Sequence, residues 1–146
     1  MLEQQLLDIR DRLFRLVHRK RRLSTEEIDK LKTDYARYFE QLERWLGLDD
    51  KRLWLTGPRL SYVDFLAGEY LSWFRDFVQA DCFDDDRFPR LKAYMERYFS
   101  LPQLKEYHNA PQYKDAHRLS PYAILGYRGG ANLDPETGEN LFWNKR

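Results

Sequence analysis

The sequence predicts an all-α bundle of about five to six helices, and three observations carry that prediction. Apolar residues recur at steps of three and four, the spacing that draws one stripe along a helix. Ser-x-x-acid boxes and proline-led starts stand where those runs begin. No segment alternates apolar and polar residues as a half-buried strand does. A length of 146 residues suits one domain. Such a chain can bury roughly two-thirds of its unfolded surface. With 42% apolar and 16% aromatic residues, it has enough material for a core.

The first helix is expected over about 2–22. Leu2, Leu6, Ile9, Leu13 and Leu16 form its stripe, and it ends in the basic run His18-Arg19-Lys20-Arg21-Arg22. Cations suit that end of the helix dipole. Ser24 opens a second helix with Glu27 three residues on as a capping box, and Leu23 and Ile28 are placed as a hydrophobic staple. Ile28, Leu31, Tyr35, Tyr38, Leu42 and Trp45 continue that helix, and Gly47 sits where a left-handed cap belongs. Residues 48–60 connect, with Gly57-Pro58 as a turn. A third helix starts at Ser61 with Asp64 at the box position and Leu60 and Phe65 as a second staple. It is so apolar that a central place is expected. Phe88-Pro89 starts a fourth helix, with Leu91, Tyr94, Met95 and Tyr98 inward, and Leu101-Pro102 a short fifth through about His108. The expected domain spans 1–127. Residues 128–146 read as an extended arm closed by Leu141, Phe142 and Trp143.

Charge and composition exclude several classes. A net charge of +1, from 25 basic against 24 acidic residues, lacks the basic excess of a nucleic-acid binder. No apolar run approaches the roughly 20 residues of a membrane-spanning helix. The single cysteine, Cys82, cannot form an intrachain disulfide. A reducing, intracellular compartment is therefore expected, cytoplasmic or organellar such as mitochondrial. Cys82 lies among Asp81, Asp84, Asp85 and Asp86, whose anions blunt a thiol. That acidic run lacks the glycine turn and terminal glutamate of a calcium loop, and His18, His108 and His117 have no metal-ligand spacing. No metal and no cofactor are expected.

The stretch Leu55-Thr56-Gly57-Pro58-Arg59-Leu60-Ser61-Tyr62-Val63-Asp64-Phe65-Leu66 resembles the signature of glutathione transferase C-terminal domains. Trp45-Leu46-Gly47 before it, and Phe88-Pro89-Arg90-Leu91 and Leu101-Pro102-Gln103-Leu104 after it, resemble the neighbouring helices, most closely those of the mu class. The resemblance covers about residues 5–126. It implies that Ser61 and Asp64 cap a buried helix start, whose free amides cannot be left without partners. It also implies that the thioredoxin-like domain bearing the catalytic residue and most glutathione contacts would precede this region. The tail from about 128 is longer than the family leads one to expect.

From that resemblance, Phe14, Val17 and His18 correspond to the wall facing the electrophilic substrate. The plainer reading of His18 is the first member of a basic helix end. Two functions follow. The first is a non-catalytic interaction or structural subunit that docks within a multiprotein assembly and binds neither glutathione nor nucleic acid. Its partners would be other subunits or a second copy. Leu6 and Phe14 on the first helix, with Leu141, Phe142 and Trp143 in the arm, would be its docking residues, because the band on the first helix is wider than one seam. The alternative is a glutathione transferase, or a split half of one.

Overall fold

The computed structural model describes residues 2–18, 23–78, 86–111, 134 and 136–139. Five helices are found among them: α1 (Leu2–Val17), α2 (Thr25–Leu46), α3 (Tyr62–Val78), α4 (Pro89–Phe99) and α5 (Pro102–Asn109). The described residues contain no strand, and Trp54 and Gly57 form an isolated antiparallel bridge. The all-α expectation holds. The basic residues Arg19 to Arg22, the stretch 79–85 with Cys82, His117, the 127/128 boundary, and Leu141, Phe142 and Trp143 lie outside the described residues.

α1 buries Leu6, Ile9 and Leu13, steps of three and four on one side. It lies antiparallel to α2. Gln5 Nε2 donates to Gln41 Oε1 at 3.2 Å, the Tyr35 hydroxyl donates to the Ile9 carbonyl at 3.4 Å, and the Arg12 guanidinium stands 5.7 Å from the Tyr38 ring centre. α3 runs beside α1 in the same sense, since the Tyr62 hydroxyl meets Glu3 at 3.0 Å and Tyr70 meets Arg10. The centre of the domain is aromatic. Phe74 of α3 packs 4.6 Å from Tyr35 and 5.1 Å from Phe39, and Phe39 packs 5.8 Å from Phe88, just before α4. Such pairs add about 0.5–1.5 kcal/mol each beyond the area they bury.

The box at α2 forms as the spacing predicts. Ser24 Oγ accepts from the Glu27 amide at 3.2 Å, and the Ser24 amide donates to Glu27 Oε2 at 2.8 Å. Leu23 is buried and Ile28 packs on the core. Gly47 corrects the sequence reading: its φ is −88°, right-handed rather than left-handed. The chain leaves α2 through a tightened turn, with the Gly47 amide shared between the Glu43 and Arg44 carbonyls, so no reversal is needed there.

α4 starts without a cap of its own, because Phe88 offers no side-chain acceptor. Glu43 of α2 supplies it from 47 residues away. Its Oε1 accepts from the Arg90 amide at 3.1 Å and its Oε2 from the Leu91 amide at 2.8 Å. The Arg90 guanidinium, 3.4 Å away, offsets the charge. The residue is only 8% exposed. Glu43→Ala leaves two amides without partners and should cost about 2 kcal/mol. Glu43→Gln, keeping one acceptor, should cost about half that. Thermal unfolding followed by circular dichroism checks the order, and equal melting of all three proteins would refute the cap.

Candidate functional site

The buried polar centre of the domain is Asp64, in the first turn of α3 and fully shielded from solvent. Oδ2 accepts from the Ser61 amide at 2.8 Å and from the Ser61 hydroxyl at 3.0 Å. Oδ1 accepts from the Leu55 amide at 2.9 Å and from the Tyr94 hydroxyl at 3.2 Å. Ser61 and Asp64 are therefore brought together as the sequence reading expects, with one difference. The Ser61 hydroxyl donates to the carboxylate instead of accepting from the Asp64 amide, which is satisfied by the Ser61 carbonyl at 3.1 Å. A dianionic-style cluster is absent here: all four groups facing the carboxylate are donors. Burial first, and then the Asp64 charge, hold the Tyr94 hydroxyl well above the ordinary tyrosine range. It therefore stays protonated and donates.

The same carboxylate pins the connection before α3. The Leu55 carbonyl accepts from Trp45 Nε1 at 2.6 Å and from Arg52 at 2.8 Å, so both backbone groups of Leu55 are held. Trp54 and Gly57 exchange backbone bonds at 2.8 and 3.0 Å. Gly57 sits at φ +133°, a conformation that side chains rarely adopt. Arg97 of α4 reaches the Leu53 carbonyl at 2.7 Å. Each of these donors is spent on a backbone carbonyl, on the Asp64 carboxylate or on the turn itself. Asp64 reads as a structural cap.

The α1 residues divide. Leu6 is fully buried within the chain's own core. This corrects its assignment to a docking surface: with Ile9 and Leu13 it forms the inward stripe, and the wide band is apolar on both sides of that stripe. Phe14, one position past Leu13, is 46% exposed. The His18 ring packs against it at 4.2 Å, and His18 Nδ1 donates to the Phe14 carbonyl at 2.7 Å. His18 thereby satisfies a terminal carbonyl of α1 as a helix-end residue does. Val17 is the last residue of α1.

α3 is also less central than its composition suggests. Val63, Ala67, Tyr70, Leu71 and Phe74 point inward, but Tyr62 and Phe65, three residues apart, are 62% and 41% exposed. Leu60 before them is exposed as well, so the expected staple contributes to the surface. Among the described residues no group of three or more histidine, cysteine, aspartate or glutamate side chains could hold a metal ion. No described helix is long and apolar enough to cross a membrane. Sequence reasoning missed Glu43 as a cap and Tyr94 as a partner of Asp64. Neither carries a local signal, since their partners lie 47 and 30 residues away.

Known proteins match this arrangement. The family model described as glutathione S-transferase, C-terminal domain, matches residues 7–111. Glutathione S-transferase Mu 3 of Macaca fuscata fuscata is 32% identical over 108 residues, covering 73% of this chain and 44% of that protein. Mu 7 of Rattus norvegicus is 30% identical over 130 residues, covering 86% and 54%. The crystal structure of the glutathione S-transferase Blo t 8 superposes with a TM-score of 0.71 at 34% identity, over 87% of this chain and 58% of that one. The chain spans about half the length of the curated relatives it matches. A buried Ser61–Asp64 cap, five helices in this order and a family match across most of the chain agree: this chain belongs to the glutathione S-transferase C-terminal domain family.

Proposed function

We propose that this domain is a docking unit that performs no chemistry alone and holds a second protein body against the outer sides of α1 and α3. The observation that carries this reading is the set of large apolar side chains left in water on those two helices: Phe14, Tyr62 and Phe65, with Leu60 just before α3. Where such side chains join in one contiguous patch, they mark an interface. A groove of about 270 Å³ between the start of α1 and the end of α2, lined by Leu2, Gln5, Gln41, Arg44, Trp45 and Leu48, gives a partner's side chain a further place to enter. Leu141, Phe142 and Trp143, which lie outside the described residues, are proposed as further anchors on their residue types alone, since aromatic residues are the commonest interface anchors. Other subunits or a second copy are the partners this reading requires.

A second reading is favoured by the mu-class relatives, whose matches cover 73% and 86% of this chain. In it the docked body is a thioredoxin-like domain that supplies glutathione and the activating residue, and Phe14, Val17 and His18 become one wall of the acceptor site. The two readings separate on a single preparation. The purified chain is passed over glutathione-agarose and assayed for halo-dinitrobenzene conjugation. The docking reading expects no retention and no turnover above a matched blank. Turnover that copurifies with this chain and falls with Phe14→Ala would replace it by the transferase reading.

A further inference from the structure

We propose that Ser24 is a phosphorylation site for a protein kinase that selects arginines two and three residues before its acceptor. The junction between the first two helices reads Arg21-Arg22-Leu23-Ser24-Thr25. Ser24 is the one described serine with arginine at both of those positions. Kinases discriminate among substrates by such charge patterns, pairing basic side chains with acidic groups of their own cleft.

The structure adds accessibility and conformation. Ser24 is exposed, whereas Ser72 is buried and Ser61 is engaged with the buried Asp64. Its backbone, at φ −72° and ψ 163°, is extended, the shape a substrate strand takes in a cleft. It stands outside α2, between the buried Leu23 and the first helical residue, Thr25. Its oxygen accepts from the Glu27 amide at 3.2 Å, at the long end of the range for such a bond.

In the transfer, Ser24 Oγ bonds to the γ-phosphorus of a nucleoside triphosphate. The bond from that phosphorus to the bridging oxygen breaks, the nucleoside diphosphate leaves with the electron pair, and the hydroxyl proton is released. The product adds about −1.5 to −2 of charge at the start of α2, where the helix dipole and free amides favour an anion. Glu27 already holds that place, with its carboxylate 2.8 Å from the Ser24 amide. Two anions cannot share the cap, so Glu27 is displaced and the phosphoryl group takes over the first-turn amides. In sequence, the new charge also stands beside the cations Arg19 to Arg22 and offsets part of their charge. The modification therefore works as a charge switch at the α1–α2 junction.

The test uses the purified full chain, the catalytic subunit of an arginine-directed protein kinase such as the cyclic-AMP-dependent enzyme, and Mg-ATP, with the site mapped by mass spectrometry. One phosphate per chain on Ser24 is expected, with the rate falling at least tenfold in Arg22→Ala. Because Ser24→Ala also removes a cap, the physical consequence is read separately in Glu27→Gln, which removes the competing charge. Phosphorylation should raise the thermal midpoint more in Glu27→Gln than in the parent chain. Phosphate on Thr25 instead, or on a peptide of residues 18–30 but not on the folded chain, would overturn the proposal. An identical midpoint shift in both backgrounds would overturn the displacement of Glu27.

Discussion

Asp64→Ala should melt roughly 10–15 °C below the parent chain, a loss of about 3–4 kcal/mol. The carboxylate accepts four hydrogen bonds, and two of the donors, the Leu55 amide and the Tyr94 hydroxyl, are buried. Removing it strands the Leu55 amide and leaves the Tyr94 hydroxyl only the Asp64 carbonyl, 3.2 Å away, and an unsatisfied buried donor costs about 1–3 kcal/mol. The exposed cap at Ser24 has no such leverage, because water can replace what it loses; caps of that kind are worth about 1 kcal/mol. Asp64→Asn keeps the shape but turns one acceptor into a donor facing donors, so it should fall between the two. Tyr94→Phe removes a donor without stranding an acceptor, since Asp64 keeps three partners, and should cost only about 1 kcal/mol. Melting curves of the three variants test the ranking. If Tyr94→Phe melts lower than Asp64→Ala, the assignment of Asp64 as the hub fails.

Gly68→Ala should be roughly half as damaging, although glycine to alanine inside a helix ordinarily stabilises by up to about 1 kcal/mol. A Cβ built at Gly68 falls 2.3 Å from Tyr98 Cζ, 2.4 Å from Cε1 and 2.6 Å from Cδ1. Tyr98 is buried, and its ring also packs edge-on to Phe65 and Phe99, so it has little room to swing aside. Forcing atoms into a packed core costs typically 1–3 kcal/mol, and the helix gain offsets part of it. A net loss of roughly 2 kcal/mol, or about 5–10 °C, is expected. The decisive measurement is a double-mutant cycle with Tyr98→Val, which removes the ring. Gly68→Ala should be neutral or stabilising in that background, and purely additive losses would show that the clash is not the cause.

Much of this architecture was legible in the sequence because its signals are local. The Ser24–Glu27 box, the stripe from Leu6 to Leu13, the start of α3 at Ser61 and the proline-led starts of α4 and α5 all lie within a turn or two of the features they specify. Where the sequence misled, the reason is spatial. The composition of α3 could not tell the side carrying Tyr62 and Phe65 from the side carrying Val63 and Ala67, because both are apolar. The same ambiguity let Leu6, a member of the inward stripe, be counted among the docking residues as well, whereas it is fully buried. Gly47 suggested a left-handed cap because glycine permits one, but permission is not a requirement. Of the site itself, Ser61 and Asp64 were readable from their spacing. Their ties to Leu55 and Tyr94, and the reach of Glu43 to α4, depend on which helices become neighbours. The spacing of charges along α2 makes Glu43 look like any acid beside Arg44.

That reach has a consequence for how the domain comes apart. An eleven-residue helix is shorter than the roughly 12–15 residues at which isolated helices become even marginally stable. α4 also begins without a local cap, so its helical state is lent to it by α2. Once α2 frays near Glu43, α4 loses its first-turn anchor, and with α4 go Tyr94 and the hydroxyl it gives to Asp64. The two carboxylates thus join three helices in series, and the loss of any one propagates to the others. The C-terminal helices behave as a dependent of the first half of the chain, not as a separable module. A cut between α3 and α4 would yield one fragment with an empty acceptor and another with nothing to hold its coil in shape.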